Sequence, residues 1–302
     1  MGGVVVLDVS IVIVSYYSGR DLPPLIRSID DAAGALSWHA TVVNNTTDES
    51  LAHLSEDDRV TVVEAGANLG YSGGLNLGLT MAPEARVTVF LNPDLVLRTG
   101  ALTALVAAVD GGSDAAVPRI LDATGVRQDS LRREPTVLSA FGEAVFGDAW
   151  ARRPQLLAET VRRDRVYRSE HAIEWATGAT LAVRADVVAA VGAWDADRFF
   201  LYSEETDYCR RIRSRGGSIA YVPDSVVQHR GGGSGTSPHL DALLEVNKLR
   251  YFQKWHGPWA AGAFGTALLL RNAIRPHRPG ARAAVRALLS SRARAGLPGG
   301  PR

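Results

Sequence analysis

The chain has 302 residues, 46% of them hydrophobic, enough to build one large or two small cores, and this excludes a wholly disordered chain. Its one cysteine, Cys209, cannot form an internal disulfide, so no oxidising compartment is needed and a reducing cytoplasm is expected. The formal charge of +1 hides an asymmetry: residues 1–245 carry 22 basic and 32 acidic groups, while residues 246–302 carry eleven basic groups and no acidic one. An acidic body without a base-reading motif argues against nucleic acid as a partner.

Met1 to Ser15 is apolar but lacks a positive leader and is interrupted by Asp8, so it reads as a strand and not as a secretory signal. The longest uncharged apolar run, Trp259 to Leu270, has twelve residues, against about 20 needed to cross a bilayer. The expectation is a protein that is soluble or lies on a membrane surface.

In chain order, strand-like and helix-like runs alternate through the first half: Val9–Ser15, Leu22–Ala33, Ala40–Val43, Val60–Val63, Leu75–Met81, Val87–Leu91 and Ala101–Val109. Such alternation predicts a parallel sheet covered on both faces, with ligands gathered at the carboxyl ends of its strands. Those ends are Ser15-Tyr16-Tyr17, Asn44-Asn45-Thr46-Thr47-Asp48 and Asn92-Pro93-Asp94, all polar turns. The glycine-rich stretch 66–74 is predicted to precede a helix beginning near Leu75, where missing side chains let a ligand approach the backbone. It is not a Gly-x-Gly-x-x-Gly fingerprint and follows the third strand, which argues against a dinucleotide enzyme; a plain turn explains it equally well.

The second half becomes regular after Glu174, where residues 175–179 lead into a predicted strand, Thr180–Val183. Then Trp194-Asp195 and residues 199–202 run into Ser203-Glu204-Glu205-Thr206-Asp207, which opens an arginine-rich helix ended by Gly216-Gly217. Ser203 is the predicted N-cap, and acids in a first turn suit the helix dipole. Capping explains one carboxylate and leaves the others without a reason. A further strand, Ser218–Val222, is expected to end at Pro223-Asp224, before His229 and a glycine loop through Gly235.

Five segments in this order resemble family 2 of the inverting glycosyltransferases, especially its bacterial rhamnosyltransferase-like branch: residues 12–17, 68–76, 91–94, 200–207, and His229 with its glycine loop. The resemblance spans Val9 to Ser234 and weakens through 247–255. It implies the GT-A fold, an α/β Rossmann-like unit with a mixed, mostly parallel sheet flanked by helices. Residues 1–235 would form that unit, with a nucleotide-sugar half at 1–112 and an acceptor half at 113–235, and residues 236–302 a basic helical extension.

The resemblance also implies roles. A sugar nucleotide leaves as a diphosphate whose developing charge a divalent cation neutralises. Asp94 stands where the family places the metal-binding carboxylate of its Asp-x-Asp triplet, and His229 matches a histidine that adds a nitrogen ligand. Asn92 replaces the first acid of the triplet and retains an amide for a ribose hydroxyl or a metal-bound water. Mg2+ and Mn2+ both suit such a set. Glu205 aligns with the carboxylate that serves as general base. Ser15, Tyr16, Asn44, Asn68, Gly70, Gly73 and Asn76 would line the nucleotide site, and Gly178, Trp194, Asp195 and Glu204 the pocket for sugar and acceptor. The expected donor is dTDP-rhamnose, followed by a UDP-sugar, and the expected acceptor is a glycan, free or lipid-linked.

Beyond Trp255, the apolar positions Trp259, Phe264 and Leu268–Leu270 precede eight arginines and no acid. Such a segment suits a membrane interface, where each basic residue contributes about 1 kcal/mol beside anionic lipid. Pro276 and Pro279 interrupt any long helix, so a disordered basic tail is the alternative. Two rival functions are a sugar-nucleotide-binding scaffold without turnover and a nucleotidyltransferase. Asp94, Glu205 and His229 together in one chain argue against the first, and the lack of a basic glycine-rich loop near the first strand against the second.

Overall fold

The computed structural model describes residues 6–147, 150, 153–231 and 237–300. The glycine loop expected at 232–235 and the last two residues, Pro301 and Arg302, lie outside them. The first half runs β1 (Leu7–Ser15), α1 (Leu22–Ala33), β2 (Trp38–Asn44), β3 (Val60–Glu64), α2 (Gly70–Met81), β4 (Ala85–Leu91), β5 (Leu95–Leu97) and α3 (Ala101–Asp110). Next come β6 (Ala115–Leu121), β7 (Leu131–Arg132), α4 (Val137–Phe146), β8 (His171–Ala172), β9 (Trp175–Ala176) and β10 (Thr180–Arg184). The remainder is α5 (Ala185–Val191), α6 (Glu204–Ser214), β11 (Ile219–His229), α7 (Pro238–Trp255), α8 (Pro258–Ala273), α9 (Pro279–Leu289) and α10 (Ser291–Ala295).

Nine strands form one sheet in the order β3-β2-β1-β4-β10-β6-β11-β5, with β8 beside β11. The four strands β3, β2, β1 and β4 are mutually parallel; β10 runs against β4 and β6, and β11 runs with β6. Most of the paired length is therefore parallel. Alternation along β1 divides the core: Val9, Ile11 and Ile13 pack with Leu22, Leu25 and Ile29 on one face, and Val12 and Val14 with Leu75, Phe90 and Tyr208 on the other. Both faces are dry, as expected of a central parallel strand.

Three local features depart from the sequence reading. Helix α2 begins at Gly70, so most of the glycines lie inside it and serve packing: a Cβ at Gly74 would stand 2.7 Å from Val14 Cγ1, and one at Gly78 2.5 Å from Val12 Cγ1. Strand β11 passes through Pro223-Asp224 with a shift of register between Val222 and Val226, because a bulge absorbs the missing proline N–H. Ser203 flanks α6 with φ +69°, and its hydroxyl makes no capping hydrogen bond.

The basic tail is helical and packed. Helices α7, α8 and α9 share an apolar cluster with α4, in which Phe252 stacks on Phe264 at 4.1 Å between ring centres. Phe264 and Leu268, expected at a membrane surface, are buried there, while Trp259 is 92% exposed. Among the described residues no helix is long and apolar enough to cross a membrane.

Candidate active site

The carboxyl ends of β1, β2 and β4 open onto a cavity of about 610 Å³. After β4 the chain turns through Asn92-Pro93-Asp94 into β5, which pairs antiparallel with the end of β11, so that His229 stands opposite Leu95. This short ladder brings two distant side chains together: His229 Nε2 lies 3.2 Å from Asp94 Oδ1. The Arg230 N–H also donates to the Asp94 carbonyl at 3.1 Å. Burial pushes the Asp94 carboxyl up, but the hydrogen bond and charge of His229, with backbone N–H groups, outweigh it and hold the group below its ordinary value.

Across the cavity, Glu204 and Glu205 open α6 after a turn in which Tyr202 and Ser203 both have positive φ, +73° and +69°. Two consecutive left-handed residues other than glycine cost on the order of 1–3 kcal/mol each, and such strain persists only where the surroundings hold it. The Tyr71 N–H donates to the Phe200 carbonyl at 2.7 Å, and the Asn247 amide donates to the carbonyls of Leu201 and Tyr202 at 2.8 and 3.3 Å. Gly70, at φ +74°, lies so close under Phe200 that a side chain there would strike its carbonyl.

Both glutamates line the cavity, and each has a buried Oε2 with no hydrogen-bond partner among the described residues. Burial pushes Glu205 up against the backbone N–H groups of Glu205 and Gly178 and the charge of Arg132. Glu204 is pushed up further, by burial first and by the neighbouring Glu205 charge second. Asp207 is spent on structure: fully buried, it accepts from Arg211 Nε at 2.9 Å and Trp255 Nε1 at 3.0 Å, and pairs with Lys254 Nζ at 2.8 Å.

Of the residues named from the sequence, Tyr16, Asn68, Gly70, Asn92, Asp94, Gly178, Glu204, Glu205 and His229 line the cavity. Six other expected residues do not. Ser15 is fully buried beneath its floor. The Asn44 amide donates to the Glu49 carbonyl at 2.7 Å and to the Glu64 carboxylate at 2.8 Å, while Asn44 Oδ1 is buried with no partner among the described residues. Gly73 sits within α2, against Leu69. Asn76 exchanges two hydrogen bonds with the backbone of Trp194, at 2.8 and 2.9 Å, and so anchors that segment. Trp194 itself is buried and stacked on Tyr208 at 4.1 Å. Asp195 pairs with Lys254 at 2.7 Å, tying the same segment to α7.

Sequence reasoning missed other parts of the wall. Asn45, not Asn44, faces the cavity: its amide donates to Asn68 and to the Gly70 carbonyl, and its oxygen accepts from the Leu69 N–H. Strand alternation is the signal that separates the two, since neighbours at a strand end point to opposite faces. Tyr71, Gln128 and Tyr202 add to the wall, and the tail contributes Leu240 and Pro298.

The profile described as glycosyltransferase like family 2 matches residues 8–250. The chain belongs to that family. It is a glycosyltransferase with the GT-A fold. A relative 28% identical over 293 residues, which cover 89% of this chain and 94% of its own, is the N-acetylglucosaminyl-diphospho-decaprenol L-rhamnosyltransferase of Mycobacterium tuberculosis. The low-salt glycan biosynthesis hexosyltransferase Agl10 of Haloferax volcanii is 26% identical over 213 residues, 68% of this chain and 62% of its own length. Among solved structures, GalNAc-T7 with UDP, GalNAc and Mn2+ matches with a TM-score of 0.60 at 15% identity over 88% of this chain. The chain spans about half of that protein, 51%. S. aureus TarS 1-349 in complex with UDP-GlcNAc matches with a TM-score of 0.51 at 14% identity, over 96% of this chain and 84% of TarS. At these identities the likeness is one of fold.

In this family 2 glycosyltransferase no group of three or more His, Cys, Asp and Glu side chains able to hold a metal occurs among the described residues. Asp94 and His229 offer one carboxylate and one imidazole at adjacent positions. That set fits a divalent cation whose other ligands come from phosphate oxygens and water.

Proposed function

We propose that this glycosyltransferase inverts the anomeric centre of a nucleotide-diphosphate sugar, with dTDP-rhamnose as donor, and passes the sugar to a hydroxyl of a lipid-linked glycan. The observation that carries the reading is that Asp94, His229 and Glu205 line one cavity. The name of the M. tuberculosis relative supports rhamnose and a lipid-linked acceptor. UDP-sugars stand second, supported by the ligands of the GalNAc-T7 and TarS structures.

Glu205, as a carboxylate, takes the proton of the acceptor hydroxyl as that oxygen attacks from the face opposite the diphosphate. Its buried setting favours a shared proton over a solvated charge, which raises its basicity. Asp94 and His229 would hold Mg2+ or Mn2+, and the cation would supply positive charge against the negative charge gathering on the departing diphosphate. Tyr16, with 45% of its surface exposed at the cavity rim, packs beside the base. Residues 1–112 form the donor half and 113–235 the acceptor half, with the extension 236–302 meeting the inner face of the cytoplasmic membrane.

Incubation with dTDP-rhamnose, UDP-sugars and a lipid-linked glycan in the presence of Mn2+ or Mg2+ tests the reading. Nucleotide release with dTDP-rhamnose and a product of inverted anomeric configuration by NMR supports it. Retention of configuration, or release only from a UDP-sugar, replaces the mechanism or the donor respectively.

A further inference from the structure

A second cavity, of about 600 Å³, lies among α4, the segment 153–162, and helices α7, α8 and α9. Among the described residues, seven arginine and lysine side chains and four carboxylates line it, an excess of three positive charges. Part of that charge is committed to the fold. Arg153 donates to the carbonyls of Leu157 and Gly147, Arg275 to those of Ala144 and Arg271, and Arg271 pairs with Glu245 at 3.2 Å. Lys248 and Arg278 are not so committed: among the described residues neither side chain makes a hydrogen bond or an ion pair within 4.0 Å.

Lys248 instead acts at longer range on Glu143 and Glu159. Burial pushes Glu143 up, but Lys248, Arg271 and Arg153 outweigh it and hold that carboxyl low. Burial also pushes Glu159 up, the Glu143 charge adds to it, and there the cations do not prevail.

Its position ties it to the reaction. Lys248 and Glu159 also line a hollow of about 70 Å³ together with Tyr202 and Glu205, and these two line the donor cavity as well. Arg132, on the wall of the basic cavity, acts on the Glu205 carboxyl. Lys248 thus stands on both the basic cavity and the hollow that Glu205 lines, so an anion seated beside Lys248 adjoins the Glu205 side of the site.

We infer that this cavity binds the phosphate or diphosphate ester of the acceptor, and so selects which acceptor hydroxyl meets Glu205. The inference rests on the proposal that Glu205 receives the acceptor. Arginine and lysine form charge-assisted hydrogen bonds with phosphate oxygens, and a partly water-excluded cavity strengthens them. The M. tuberculosis relative is named for an acceptor that carries a diphosphate between sugar and lipid.

Isothermal titration of inorganic pyrophosphate in metal-free buffer reads this cavity, since no cation bridges pyrophosphate to Asp94 there, and a signal unchanged in Asp94→Ala excludes the donor site. One binding site is expected, weakened about tenfold or more when Lys248→Gln and Arg278→Gln are combined. Arg278→Glu alone, at an exposed position, gives the same sign of change should the double variant fail to fold. Absence of pyrophosphate binding in the unaltered protein, or equal affinity in folded variants, overturns the inference. A short-chain prenyl diphosphate sugar should displace pyrophosphate, and phosphatidylglycerol vesicles should not. The reverse assigns the cavity to membrane headgroups and overturns the acceptor role. If Glu205 is not the base, transfer by Glu205→Gln exposes that error while the pyrophosphate titration stands, so the two failures are separable.

Discussion

Asn247 donates its side-chain amide to the carbonyl of Leu201 at 2.8 Å, so a helix of the basic tail holds the strained turn in front of the acidic cluster. Asn247 is fully buried and its own oxygen accepts from Arg250. Asn247→Ala leaves the Leu201 and Tyr202 carbonyls without this donor, at a cost of about 1–3 kcal/mol. The melting temperature should fall, and kcat should fall more than donor affinity, because the turn aims Glu205 and not the nucleotide. An unchanged kcat in a destabilised protein would confine Asn247 to stability.

Asp94 and His229 carry the metal expectation. Asp94→Ala should abolish metal-dependent donor binding, and His229→Ala should weaken it about tenfold or more. Titration of the nucleotide-sugar with and without chelator measures both. Equal affinity with and without metal in the unaltered protein would remove the cation from the site.

Glu204 gives a dependence on pH whose sign is fixed. Its folded-state carboxyl is raised well above the ordinary value of 4.5, so the fold binds this proton more tightly than the unfolded chain does. The contribution to stability is complete below about 4.5 and is lost as pH rises from there through the raised value. Glu204→Gln, permanently neutral, should therefore melt higher than the unaltered protein at pH 8, with the gap closing toward pH 4. A constant gap across that range would place the Glu204 effect in packing.

Membrane contact by the tail should run through Trp259, which is 92% exposed at the start of α8. Trp259→Ala should reduce sedimentation with phosphatidylglycerol vesicles while leaving the melting temperature unchanged. Deleting residues 276–302 is a poorer probe than its charge suggests, because Ala284, Ala287, Leu288 and Leu297 belong to the tail's apolar cluster and their loss exposes it. Sedimentation that ignores Trp259 would leave the basic tail without a lipid partner.

The strands of the parallel half were legible because each is an apolar run bounded by polar turns, and α1 appears over the expected residues Leu22–Ala33. The pair Asp94 and His229 was legible only through motif order, since nothing local to residue 94 announces residue 229. The start of α2 was not legible: glycine carries one signal for a ligand-bearing loop and the same one for a helix pressed onto Val12 and Val14. Asn44 was placed at the cavity in place of Asn45 because a shift of one residue at a strand end exchanges the faces. Leu240 and Pro298 reach the cavity wall through packing of the tail, which no local pattern encodes.

Transfer by Glu205→Gln, measured beside Glu204→Gln with donor affinity followed separately, tests the central claim most directly. The substitution preserves shape and removes basicity, so transfer should fall by about 10² or more while nucleotide-sugar affinity stays nearly unchanged. Glu204→Gln should be the milder change. Near-normal transfer by Glu205→Gln alongside an inactive Glu204→Gln would contradict the assignment and move the base to the neighbouring carboxylate.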